Sequence, residues 1–492
     1  MVNNFFKFIF IILILFFSFS CSSKKNKYPD ELNNKINFYL EQYKKFPDDV
    51  IFLIQIAELL FENNYLNDSL NFLEKAEKKI EKNNKIDLEK ILKLKIKILE
   101  KQNKLSDAIY NCKNLLNVNN NIENYILLSD LYFQNKDYLK AINILEELIA
   151  KEPNNIIILT KLGINFIKLN QFEEAEKYLL KVIELDFSNI KAHYYLSILY
   201  NKIGENDKFI SELDKVILYG KNSNEPEVSF AFGIKAELFE KENNFDSAEV
   251  YFKNAIAINN KNWEIYFKYA LLLFKKEKFV EAIEELKTAF SLNKNNYLIP
   301  LLIGDIYKEK LKLEKFAIKY YFAAYELNNN SIEILDKIGN YYFNEREYNQ
   351  AIYYFEKIVD FNQKNFYTLD AYLKIVYMLV NYDNYNIALQ RINQALNLFP
   401  NAYELYFQKA IIYEKQKNYD AAIQNYLEAI KYNEDFDSPY IFAAKLLYET
   451  NRKEEALNIL EKCLQKIKDE NLKINVELFI KRIENKENDG EQ

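Results

Sequence analysis

Apolar residues recur along this chain at alternating three- and four-residue steps, in short blocks divided by polar breaks. Such steps put one apolar stripe on a helix that is polar elsewhere. The blocks also resemble one another: "NQFEEAEKYLLKVIELD", "NNFDSAEVYFKNAIAIN", "EKFVEAIEELKTAFSLN", "REYNQAIYYFEKIVDFN" and "KNYDAAIQNYLEAIKYN" are variants of one sentence. Their shared offset runs through Ser69, Ala108, Ala141, Ala175, Phe209, Ala248, Ala282, Ala317, Ala351, Ala388, Ala422 and Ala456. The steps between these are 39, 33, 34, 34, 39, 34, 35, 34, 37, 34 and 34 residues. A fixed period of this size marks a repeat architecture whose unit cannot bury its apolar face alone. The pattern predicts an all-α chain of about twelve helix-turn-helix units over residues 50 to 470. Segment 30–49 holds an amino-terminal half-unit, 471–486 a capping helix with a more polar outer face, and 487–492 a disordered tail.

Small residues stand twelve positions before the shared offset, as at Ala57, Ser129, Gly163, Ser197, Ala236, Ala270, Gly339, Ala410 and Ala444, and thirteen before it at Gly304. Two antiparallel helices approach closely only where bulk is missing, so these positions predict helix-helix contacts. An aromatic that would plug the turn precedes the second block at Tyr138, Phe172, Phe245, Phe279, Tyr348, Tyr385 and Tyr419. Asn-rich ends such as "NVNNN", "EPNN" and "LNKNN" fall where a helix must stop, and asparagine tolerates the left-handed conformation expected there. Phe209, Ile96 and Val376 replace small residues, and Pro300 lies in a first helical turn.

Spacing, small positions and turns together resemble the tetratricopeptide repeat, over about residues 50 to 470. That resemblance implies an α-solenoid, a right-handed superhelix whose first helices line the concave side. Longer intervals lie at 81–87, 220–227 and 362–368, and only the second has linker chemistry, with Gly220 and Pro226 among polar residues. It divides the repeats into 50–219 and 229–470, with 220–228 read either as a linker or as a long loop.

Ahead of the repeats, Lys7 is followed by an apolar core from Phe8 to Phe17 and the exit Ser18-Phe19-Ser20, then Cys21 and a polar stretch over 21–29. The core is shorter than the roughly 20 residues of a membrane span and has the layout of an export signal. Segment 1–20 resembles a bacterial lipoprotein signal peptide, although Ser18 stands where that pattern prefers leucine and Phe19 is bulky. The resemblance implies cleavage before Cys21 and acylation of its thiol and new amino group. Each buried methylene contributes about 0.8 kcal/mol, and lasting attachment takes more than one chain. An uncleaved anchor and a cleaved, soluble exported protein stay open as alternatives. Ser22 is not the aspartate that retains such proteins at an inner membrane, which favours the outer one.

Lys and Arg total 66 against 72 Asp and Glu, a net charge of −6 that counts against nucleic-acid binding. Catalysis finds no foothold. The single histidine, His193, occupies a packing position, and there is no HExxH, no glycine-rich phosphate loop and only seven glycines. Cys112 and Cys463 lie in apolar patterns without a CxxC spacing and read as small core residues. No cofactor or metal is expected. The inward positions of the first helices are Ile126, Phe133, Ile164, Ile167, Tyr194 and Ile198, then Phe267, Leu271, Phe274, Leu301, Tyr377, Phe407 and Ile411. Ile441 and Tyr448 extend the series. Apolar residues there either form a site for a peptide or helix or are covered by tight curvature.

The clamp by which some family members grip a chaperone's terminal carboxylate is absent, since Lys93 and Lys97 are followed by Leu127 and then by Ile157 with Lys161. The expectation is a non-enzymatic, membrane-anchored scaffold of the bacterial cell envelope that docks other envelope proteins. The alternative is a glycan-binding or polysaccharide-export subunit whose tyrosines stack sugars.

Overall fold

A computed structural model describes residues 27–80 and 84–488. Segment 1–20 and Cys21 lie outside the described residues, as do the last four residues of the chain. Among the described residues every regular element is helical, and the helices pair in the predicted order. Twelve hairpins run from Ile51–Glu62 with Leu66–Lys79 to Asp437–Glu449 with Lys453–Lys466. Asp30–Lys45 precedes them, and the closing helix Glu470–Asn488 runs two residues into the stretch expected to be tail.

The chain divides into two compact units, one ending at Lys235 and the other beginning at Ala236. The interval 220–228 is a short loop between Tyr219 and a helix that starts at Pro226. Gly220 and Val228 are both buried there, and a Cβ added to Gly220 would sit 2.3 Å from a Val228 methyl. The first unit's core is a series of small clusters, such as Leu92, Ile96, Ala108, Cys112 and Leu128. The second holds a longer cluster from Leu301 to Ile412 and another around Tyr426, Leu447 and Cys463. Ile96 and Val376, at positions that usually hold a small residue, are absorbed into these cores.

The small first-helix residue is a hole as well as a point of close approach. A Cβ on Gly163 would lie 2.6 Å from Leu179 Cγ, and one on Gly339 would lie 2.8 Å from the Phe355 ring. The knob in each case stands sixteen residues after the hole, on the second helix. Close backbone approach is visible in the first hairpin, where Ser69 Oγ donates to the Ala57 carbonyl at 2.6 Å. Buried tyrosine knobs keep their hydroxyls satisfied, Tyr426 on Glu414 at 2.8 Å and Tyr321 on Asp305 at 2.9 Å.

Left-handed residues occur at a different place from the one expected. Each of the twelve turns inside a hairpin contains one, including Asn64 at φ 66°, Lys136 at 64°, Gly204 at 82°, Arg346 at 60° and Asn451 at 59°. The following amide then donates to the carbonyl five residues back, as Tyr65 to Leu60 at 2.8 Å and Arg452 to Leu447 at 2.8 Å. This is the Schellman closure, which satisfies a carbonyl the helix end leaves orphaned. Of the Asn-rich ends between hairpins, only Asn362 is left-handed among the described residues. The asparagines there cap the next helix instead: Asn121, Asn189 and Asn365 accept from the amides of Asn124, Ala192 and Thr368. Helix starts set their role, because a side-chain oxygen relieves an unpaired first-turn amide.

One hairpin departs. Helix Leu298–Asp305 continues as a π-turn over Ile306–Lys310, and the closing bond runs six residues back, from Leu313 to Tyr307 at 2.8 Å. Gly304 and Ala317 stand thirteen apart where other hairpins have twelve, and the π-turn takes up the extra residue. Pro300 is tolerated because first-turn amides have no partner in the helix.

Gly339→Ala is expected to cost about 1–3 kcal/mol in urea unfolding, because the Phe355 ring it meets is fully buried. Gly204→Asn has nothing within 4 Å of its new Cβ and should stay within about 1 kcal/mol of the parent. Equal losses would contradict the packing described.

Candidate functional site

In the first unit, the starts of three successive first helices enclose a cleft of about 540 Å³. Helix Ile156–Lys168 supplies Ile156, Ile157, Thr160, Lys161 and Ile164. The loop before helix Ile190–Ile203 supplies Asp186, Ser188 and Asn189, and the helix adds Ile190, Lys191 and Tyr195. Glu225 and Glu227 close the cleft from the start of Pro226–Lys241.

Most of its polar groups are already engaged. Asp186 accepts from Ser188 Oγ at 2.9 Å and Asn189 Nδ2 at 3.0 Å, and these bonds hold its carboxyl below the ordinary value. Lys161 pairs with Asp130 at 2.6 Å, and Thr160 returns its hydroxyl to the Ile156 carbonyl. Glu227 differs: its Oε2 is buried with no hydrogen-bond partner. Burial first, and then the charge of Glu227, push the Tyr195 phenol above its usual range.

Of the thirteen residues expected along the groove, Ile164 lines this cleft. Ile126, Phe133, Tyr194 and Ile198 are half-buried in the same unit. In the second unit Phe267, Leu271, Phe274, Phe407 and Ile411 are half-buried, and Tyr377 is 49% exposed. Two assignments need correction. Ile167, at 3% exposure, lies one turn beyond the Gly163 hole and belongs to the core stripe. Leu301, at 5%, packs in the cluster that includes Ala317, Tyr321 and Ile338. Several aromatic members lean on neighbouring rings, Phe407 on Phe436 at 5.0 Å and Tyr377 on Phe343 at 5.8 Å. Other tyrosines also pack ring on ring, Tyr342 on Tyr354 at 5.8 Å.

Reading the sequence missed Ile157, Tyr195, Glu225 and Glu227. A signal existed in "NNIIILTK", whose apolar run wraps past one face and leaves Ile157 58% exposed.

Beside the cleft, His193 is buried between Glu212, 2.5 Å from Nδ1, and the Phe187 carbonyl, 2.9 Å from Nε2. Burial works to raise the Glu212 pKa, but hydrogen bonds from His193 and Lys215 bring it below the ordinary value. The Phe187 carbonyl can only accept, so Nε2–H donates to it, while Nδ1 is held against the Glu212 carboxyl group. His193 ties the loop that walls the cleft to the second helix of the hairpin. Among the described residues no group of three or more His, Cys, Asp or Glu could hold a metal ion. Cys112 and Cys463 are buried free thiols, each pushed up to about 12, chiefly by burial. No described helix is long and apolar enough to cross a membrane.

Comparison with known proteins agrees with the hairpin geometry. Residues 240–309 and 403–436 match models described as tetratricopeptide repeat, and 101–182 match one described as anaphase-promoting complex, cyclosome, subunit 3. These segments carry tetratricopeptide-type repeats, and the fold is an all-α array of such hairpins. A BBSome complex member BBS4 homolog of Drosophila melanogaster is 23% identical over 37% of this chain and 37% of its own length. A TPR repeat-containing protein of Methanocaldococcus jannaschii is 26% identical over 56% of this chain and 55% of its own. The chain thus spans between about a third and about half of the length of these relatives. The solved C-terminal part of a TPR repeat-containing protein from Cytophaga hutchinsonii is 17% identical, with a TM-score of 0.41 over 50% of this chain and 98% of its own.

Because the folded Glu212 pKa is depressed, its stabilisation is present above the ordinary carboxylate pKa and is lost as pH falls through the folded value. Urea unfolding between pH 6 and 3 should therefore show a shallower acid loss for Glu212→Gln than for the parent. His193→Ala, which leaves the carboxylate buried and short of a donor, should cost about 3–5 kcal/mol at neutral pH.

Proposed function

We propose that this chain is a non-enzymatic, membrane-anchored scaffold of the bacterial cell envelope, docking other envelope proteins on the inner faces of its first helices. The observation that carries the docking half is the cleft at Ile164. Three consecutive first helices leave a concave, part-apolar surface uncovered there. Large concave sites with a few convergent polar groups are where ligands bind. The family model over residues 101–182 and the BBS4 homolog are both named for parts of multi-protein complexes, which supports an assembly role. Support for the anchor is the order of segments alone: a charged start, a short apolar core, small residues, then Cys21.

Two measurements test the halves separately. Intact mass of the mature amino terminus should show an acylated Cys21, and Cys21→Ser should move the protein from the membrane to the soluble fraction. An unmodified thiol at Cys21 would remove the anchor. A photoreactive residue at Ile164, and others at Phe267 and Phe407, should crosslink in cells to a discrete envelope protein. If none of the three sites yields one, the docking role fails.

A further inference from the structure

We infer that the cleft is built for a single basic side chain, a lysine or arginine of an extended partner segment with apolar residues on either side. This rests on the docking role and names the chemistry it selects. The lining of the cleft combines two kinds of surface. Ile156, Ile157, Ile164 and Ile190 give it aliphatic area, and Tyr195 adds a ring. Glu225 and Glu227 line it as well. The cleft's other carboxylate is bound up in the loop, and Lys161 is neutralised by Asp130. Glu227 lines the cleft, and its Oε2 has no donor and is closed to solvent in this conformation, so a basic head would meet it once the side chain turns toward the cleft. A buried carboxylate oxygen without a donor is costly, and a charge-assisted hydrogen bond is the interaction that relieves it best.

Lysine and arginine match this combination within one side chain. Their methylene stems lie along apolar walls while the charged head reaches polar groups. An acidic side chain would face Glu225 and Glu227 with like charge, and an apolar one would leave the Glu227 oxygen as it is. The pocket is therefore opposite in sign to a clamp for a terminal carboxylate. Lys191, which lines the rim and is exposed, adds selectivity against a second positive charge beside the first.

The test uses the full mature chain and a fluorescein-labelled nine-residue peptide. It carries arginine at its centre, leucine two positions to either side and serine elsewhere, and is compared with citrulline and glutamate versions. Anisotropy should show the arginine peptide binding about tenfold tighter than the citrulline one, the size expected of one charge-assisted bond. Glu227→Gln should bring that ratio near one while the circular dichroism melt is unchanged, and Glu225→Gln should lower it in part. Equal binding of arginine and citrulline peptides, tighter binding of the glutamate peptide, or a ratio untouched by Glu227→Gln would overturn the proposal. So would Glu227-dependent self-association in sedimentation, which would make a second copy the occupant. Should the peptides fail while Ile164 still crosslinks to an envelope protein, the docking role stands and only this chemistry falls. Failure of both removes the two together.

Discussion

Within most hairpins, the place where a small residue of the first helix receives a large side chain from the second decides how near the two axes can come. Everything else follows from that distance. With the hole at Gly163 filled by Leu179, or at Gly339 by Phe355, the two helices lie close enough for one short turn to join them. The turn must then reverse the chain with one left-handed residue and one long-reaching hydrogen bond. Lys, Glu, Arg and Asp occupy that conformation here as well as Asn and Gly, at φ values of 57 to 64° for the charged residues. A Lys, Glu or Arg there carries a penalty of about 1–2 kcal/mol. The fixed geometry of the packed pair sustains it.

Hairpins are joined to their neighbours by weaker ties. Lys161 reaches back to Asp130, Lys268 to Glu237 and Lys337 to Asp305, each spanning from one first helix to the one before it. Partly exposed pairs of this sort contribute about 0–1 kcal/mol each, so they orient the inner faces more than they stabilise them. Burial of the apolar stripes between neighbours supplies the stability. At the cleft by Ile164 a carboxylate, Glu227, keeps an oxygen without a donor.

The repeat could be read in advance because its signal is written many times over: a one-residue error at any single unit is corrected by the others. Hairpin order, hole positions and the aromatics that open the second helices all follow from a periodicity that sterics enforces at every turn. What stayed hidden has no such redundancy. The left-handed residue has no fixed identity, being Asn64 in one hairpin, Lys136 in another and Arg346 in a third, so composition pointed instead to the visible asparagine clusters. Those clusters serve helix starts. Ile167 and Leu301 stand one turn from the small residues Gly163 and Gly304, on the stripe that the hairpin buries. The cleft itself draws Ile157, Tyr195 and Glu227 from three hairpins, and a meeting of that kind depends on how units stack, which no single unit encodes.

The π-turn at Ile306–Lys310 bears on how such a chain tolerates length mutations. An inserted residue in an α-helix turns everything after it by about 100 degrees, which would present the wrong side of each later helix to its neighbour. Here the surplus is confined to one widened loop of backbone, and Tyr321 still enters the Gly304 hole, seventeen residues on instead of sixteen. A one-residue insertion at a helix end can therefore leave the downstream array in register, provided the next knob finds its socket. The irregular steps of 37 and 39 residues elsewhere lie chiefly in longer first helices, Lys85–Lys101, Pro226–Lys241 and Phe366–Asn381.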